Sequence, residues 1–263
     1  MRGAALLLLA LTLAAPAGAQ TAPGPAQTQA AAPAPAPPET AATCREPGGD
    51  GPSAPSLPNL AAAIRKDNKA VILVVGSSGA ASRKGRHGDG YFGLVRRYLE
   101  RNFKGLELTI AHRGAPGALA RDAAETIRVE AALTGANLVL WQVGTADAMA
   151  RISPQEFRAD LETTLDWLKA HGIDVMLVGL HYSDAMRKDT HYQQIREALR
   201  AVAQDKGAPR IRRYEAAETL ARMRAATDET PAPDCMADWL AQAVAVGLFG
   251  RRTPQETGAP PPR

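Results

Sequence analysis

Two adjacent serines, Ser77 and Ser78, stand between Gly76 and Gly79, directly after the apolar run Ala70–Val75. A hydroxyl at the end of a buried strand can attack an acyl carbon, provided that a base takes its proton and amide donors face the developing oxyanion. Two more loops follow short apolar runs: His112-Arg113-Gly114-Ala115-Pro116-Gly117 after Leu106–Ile110, and Gly144-Thr145-Ala146-Asp147 after Asn137–Val143. A serine, a glycine amide and a polar loop on one rim are the parts that acyl transfer needs. The serine turn also reads as a plain strand-to-helix connection with N-capping hydroxyls. Both readings stand on these residues alone.

A base is the harder part to find. The chain has five histidines. His171 precedes Gly172 at a helix end and reads as a capping residue. His87 lies in the glycine-rich stretch Arg83–Gly90, and His191 starts a helix. His112 and His181 each follow a strand and could face the serine's rim, which makes them the candidate substitute bases. Asp147 reads as a carboxylate that orders its loop, and Trp141 as a core residue.

The elements that position these groups alternate along the chain. Ala70–Val75 is uninterrupted and glycine-bounded, the pattern of a strand covered on both faces. Asn137–Val143 and Asp174–Leu180 repeat it; Leu106–Ile110 and Arg210–Arg213 read as shorter strands. Helices are expected over Leu57–Asn68, Asp89–Phe103, Ala118–Leu133, Tyr192–Gln204, Ala216–Arg224 and Met236–Leu248. Ser153-Pro154-Gln155-Glu156 opens another, with serine as cap, proline at N1 and glutamate at N3. That helix turns Phe157, Leu161, Leu165 and Leu168 inward. Alternation without an internal repeat predicts a mainly parallel sheet between helical layers, a three-layer α/β/α sandwich of flavodoxin-like type. Such folds place ligands at the carboxyl ends of their strands.

The flanks have other compositions. Residues 1–19 combine Arg2, the apolar run Ala4–Ala15 (broken only by Thr12) and a small-x-small site, Ala17-Gly18-Ala19; they read as a signal peptide cleaved after Ala19. The expected location is therefore periplasmic or secreted. Residues 20–57 are rich in Ala, Pro, Gln and Thr and read as a disordered linker, residues 251–263 as a similar tail. The domain occupies 58–250. Cys44 and Cys235 are the only cysteines and, in an exported chain, read as a disulfide. It would close a loop of about 190 residues and add roughly 5 kcal/mol on the chain-entropy account.

The net charge of +4 is modest and aromatics are few. Arg210, Arg212, Arg213, Arg222 and Arg224 read as a solvated face, and no nucleic-acid surface is expected. Gly76–Gly79 does not open a Gly-x-Gly-x-x-Gly, no Gly-Lys-Ser/Thr follows, and no acidic residue ends the second strand, which argues against a nucleotide-binding domain. No cofactor, metal site or membrane span is expected in the mature chain.

Over most of Ala70–Leu248 the chain resembles the SGNH, or GDSL-type, serine hydrolases, most closely secreted bacterial members with a GSS turn and a WQVGT strand end. The resemblance makes Ser78 the nucleophile, with Ser77 in place of the family's aspartate, and Gly117 an oxyanion-hole amide. The family's third block, Gly-x-Asn-Asp, is here Gly144-Thr145-Ala146-Asp147, so Ala146 replaces the asparagine donor. The family's Asp-x-x-His should fall in Ala226–Ala237. Asp228 and Asp234 are there, but Pro231 and Ala237 stand where the histidine belongs. Loss of one oxyanion donor costs about 10²–10³ in rate. Loss of the base costs on the order of 10⁶. The sequence therefore implies a hydrolase-like domain with incomplete machinery that binds an envelope or acylated-glycan ligand with little turnover. The alternative is a working esterase or deacetylase that uses Ser78 with His181 or His112.

Overall fold

The computed structural model describes residues 56–76, 90–226, 244, 247 and 248. The first helix, α1 (Pro58–Asp67), leads into β1 (Lys69–Gly76), and α2 (Gly90–Asn102) into β2 (Glu107–Gly114). Then follow α3 (Ala120–Thr134), β3 (Leu138–Gln142), α4 (Thr145–Met149), α5 (Pro154–Ala170), β4 (Asp174–Val178), α6 (Asp184–Lys188), α7 (Thr190–Asp205), β5 (Arg210–Ile211) and α8 (Arg213–Ala226).

The five strands are parallel and lie in the order β2-β1-β3-β4-β5. Alternate residues feed two cores. Leu73, Val75, Val139, Trp141 and Leu177 pack under α3, α5 and α7, with Phe157, Leu161, Leu165 and Leu168 buried as the sequence predicts. Ala70, Ile72, Leu138, Leu140 and Met176 pack on the other face with Leu60 and Ile64 of α1, Val95 and Leu99 of α2, and Val244 and Leu248. The expected three-layer α/β/α sandwich is the observed one. Of the expected Met236–Leu248 helix, only residues 244, 247 and 248 are described, all helical. Ser56 and Leu57 both donate their amides to the carbonyl of Gly247, at 2.7 and 2.9 Å.

Local chemistry explains the joints. Ser153 Oγ accepts the Glu156 amide at 3.1 Å and caps α5. α1 and α3 have no cap of their own. Asp174, buried at the start of β4, supplies one by accepting the Leu60 amide (2.9 Å) and Asn59 Nδ2 (2.8 Å). Three expectations change. β2 runs on to Gly114, because backbone pairing with β1 continues through Gly76↔Gly114 whatever the side chains. Two five-residue helices, α4 and α6, are too short to show a period. Arg210 is not on a solvated face; its side chain is 11% exposed and lies against Glu215.

Candidate active site

The chain leaves β1 toward β2 on one side and later adds β3 on the other, so its direction reverses at β1. At such a point the loops after the two strands part and leave a crevice at the carboxyl edge. Gly76 and the end of β3 stand at that edge. Gly76 has φ +144°, and a Cβ there would fall 2.6 Å from Gln142 Cβ. Only glycine lets β1 end so close to β3. Gly144 likewise, at φ +98°, has no room beside Leu180, whose Cδ1 would lie 2.7 Å away. The serine loop after Gly76, with Ser77, Ser78 and His87, lies outside the described residues. So do residues 227–237 of the expected Asp-x-x-His region, and Cys44 with Cys235.

Beyond β2 the ladder gains one bond, Ala115 N–H to the Gly76 carbonyl at 2.8 Å. This holds the start of the second loop against the end of β1. Gly117 follows, exposed, at φ +77°, with nothing within 4 Å of the place its Cβ would take. Beyond β3, Ala146 sits half-buried in the first turn of α4 and carries no polar side-chain atom. Asp147 is 1% exposed; its Oδ1 accepts the Ala120 amide at 2.8 Å and so caps α3 from outside. Burial pushes its carboxyl above the usual aspartate range, against the pull of the Ala120, Asp147 and Gly144 backbone bonds.

The two histidines differ in setting. His112 is exposed on β2, level with Val74. His181 lies just past β4. β1 and β3 separate their strands, so three strand spacings, about 14 Å, lie between them. His112, two residues before the end of β2, and His181, in the loop after β4, both lie toward the carboxyl edge but not beside one another. His181 is clasped. Its amide donates to Thr145 Oγ1 (3.0 Å), and its carbonyl accepts from Tyr192 Oη (2.6 Å). Arg213 Nη2 lies 3.1 Å from His181 Nδ1. A guanidinium only donates, so Nδ1 is the acceptor and the hydrogen of the neutral ring sits on Nε2. His171 is at the opposite edge: it ends α5, with Nδ1 2.8 Å from the Trp167 carbonyl and its ring stacked on Trp167. Trp141 is fully buried. Sequence reasoning misses Thr145, Tyr192 and Arg213, which meet His181 from 36, 11 and 32 positions away. Among the described residues no cluster of His, Cys, Asp and Glu could hold a metal ion, and no helix is long and apolar enough to cross a membrane.

The sequence profile of the non-GDSL lipase-like family matches residues 43–248. The chain belongs to this family. The match takes in all three rim loops and extends upstream past Cys44. Solved structures agree with it in fold. A putative GDSL-like lipase from Parabacteroides merdae superposes with TM-score 0.52 at 18% identity, over 67% of this chain and 96% of its own. A lipase/acylhydrolase from Enterococcus faecalis gives TM-score 0.52 at 18% identity, over 70% and 100%. An acetylxylan esterase from Geobacillus stearothermophilus, in a catalytic histidine-to-alanine variant, gives 0.54 at 17%, over 68% and 94%. At these identities the likeness is one of fold; together with the family match it bears out the resemblance to SGNH/GDSL-type hydrolases. No curated protein matches the sequence.

Proposed function

We propose that this family member is an exported domain that binds an acylated ligand, such as an acylated glycan, at the β1–β3 crevice with little or no turnover. Its signal sequence and linker carry it to the periplasm or beyond. The observation that carries the reading is Ala146. Position 146 lies in the first turn of α4, just past the carboxyl end of β3, and by the motif its methyl group stands where SGNH enzymes carry the asparagine amide. Ser78 and Gly117 are the retained parts. The base is the second gap. Asp147 cannot serve, because one carboxylate oxygen holds the Ala120 amide and the side chain is closed to solvent. His181, with Nδ1 engaged by Arg213, presents a donor at Nε2 rather than a lone pair.

The test is hydrolysis of p-nitrophenyl acetate by the mature chain beside Ser78→Ala. The expected result is equal rates near background, since a serine without its base loses on the order of 10⁶. Hydrolysis well above background that disappears in Ser78→Ala would overturn the reading. It would establish instead an active esterase with a rearranged base, and His112 and His181 would be replaced next.

A further inference from the structure

A cleft of about 280 Å³ opens between helices α6 and α8 and the loop after β4, one residue beyond His181. Its walls are Tyr182, Asp184, Arg187, Glu218, Ala221 and Arg222. None of these belongs to the rim machinery. We infer that this cleft holds a neutral sugar ring of an oligosaccharide ligand; the inference deepens the ligand-binding reading above and rests on it.

Asp184 and Glu218 balance Arg187 and Arg222, so the walls favour neither a cation nor an anion. Glu218 and the two guanidinium groups offer planar edges, which bind pairs of neighbouring polar groups in bidentate fashion. A vicinal diol presents such a pair. Carboxylates on two walls also weigh against a phosphate-bearing polymer.

Tyr182 gives the cleft an aromatic wall. The Tyr182 ring meets Tyr214 edge to face, with centroids 5.1 Å apart and planes at 80°. Tyr214 is buried, packs against Tyr192 at 6.3 Å, and carries the Arg196 guanidinium 4.3 Å from its ring centre. Tyr182 Oη donates to Asp184 Oδ1 at 2.9 Å. The ring is thus seated on a buried neighbour and bonded at its hydroxyl, which lowers the entropy cost of ordering it on binding. A fixed aromatic surface beside paired polar edges matches the two aspects of a pyranose, its C–H face and its hydroxyl rim.

β4 stands two strand spacings, roughly 10 Å, from β1, whose end leads to Ser78. A ring in the cleft and an acyl group at the crevice therefore belong to different units of one oligosaccharide. The volume suits a ring rather than an extended chain, being below the ~300–1,000 Å³ of pockets for drug-sized ligands.

Isothermal titration of the mature chain with xylotetraose, cellotetraose and tetra-N-acetylchitotetraose tests the site. Saturable binding of at least one is expected. Tyr182→Ala should weaken it about tenfold or more, whereas Tyr182→Phe should stay within about threefold. Ala221→Trp, which fills the cleft from α8, should abolish it, and a matched far-ultraviolet spectrum checks that each variant is folded. No saturation with any of the three sugars overturns the inference. So does unchanged binding in both Tyr182→Ala and Ala221→Trp, or competition by inorganic phosphate through Arg187 and Arg222. The ester assay reads separately: Ser78-dependent hydrolysis would overturn the low-turnover reading while sugar binding stood. Absent sugar binding with background hydrolysis would overturn this inference alone.

Discussion

Replacing Gly76 with alanine tests whether the close approach of β1 and β3 is what builds the crevice. The new Cβ would stand 2.6 Å from Gln142 Cβ and 3.2 Å from the Gln142 carbonyl oxygen, both of them on or next to the backbone of β3. Carbon pairs settle at about 3.5–4.0 Å, so one strand end must give by roughly 1 Å. Overpacking of this kind costs about 1–3 kcal/mol. The φ of +144° adds a backbone cost of about 1–3 kcal/mol. Gly117→Ala is the control, because φ is +77° there but the Cβ meets nothing within 4 Å, and only the backbone cost applies. Urea unfolding followed by circular dichroism reads both. With a slope of about 2 kcal/mol/M, Gly76→Ala should lower the midpoint by about 1–3 M and Gly117→Ala by about 0.5–1.5 M. The difference isolates the contact with β3. Equal midpoints for the two variants, or a Gly76→Ala midpoint within 0.3 M (about 0.6 kcal/mol) of wild type, would refute the argument.

Two further outcomes follow from the rim. The Asp147 carboxyl is raised above its ordinary value of 3.8 by burial, so its contribution to stability is full below that pH and is lost as pH rises through the raised value. Wild type should therefore lose stability relative to Asp147→Asn between pH 4 and pH 7 in matched urea titrations; a pH-independent offset sinks the assignment. Tyr192→Phe removes the 2.6 Å bond to the His181 carbonyl and should cost about 1 kcal/mol. It should also speed amide exchange at His181, and an unchanged exchange rate would mean that the clasp does not hold that peptide.

Much of the fold is legible because its signals are local. The run Ala70–Val75 marks a strand with both faces covered, and Ser153, Pro154 and Glu156 mark a helix start by residues that touch one another. The rim is legible only where a backbone is special or a motif is short, as at Gly117 and Ala146. The clasp on His181 leaves no such trace. Thr145 looks like any residue after a glycine, Tyr192 like an apolar-face residue of α7, and Arg213 like one more arginine in a basic stretch. They meet only because β3, β4 and β5 deliver their loops to one edge. Arg210 fails for the same reason, since its partner Glu215 lies beyond a strand-to-helix turn that composition does not reveal.

The pair of amides that Ser56 and Leu57 give to the Gly247 carbonyl closes the domain on itself. Residues 56 and 57, at the front of the described domain, therefore sit beside residue 247, near its end. If the leading segment is tethered, a pull along it loads this clasp and α1, whose first turn is pinned by Asp174. The load then enters the sheet through Asp174, at the start of β4. A pull of this kind reaches the amino ends of the parallel strands first, whereas the rim loops leave from their carboxyl ends.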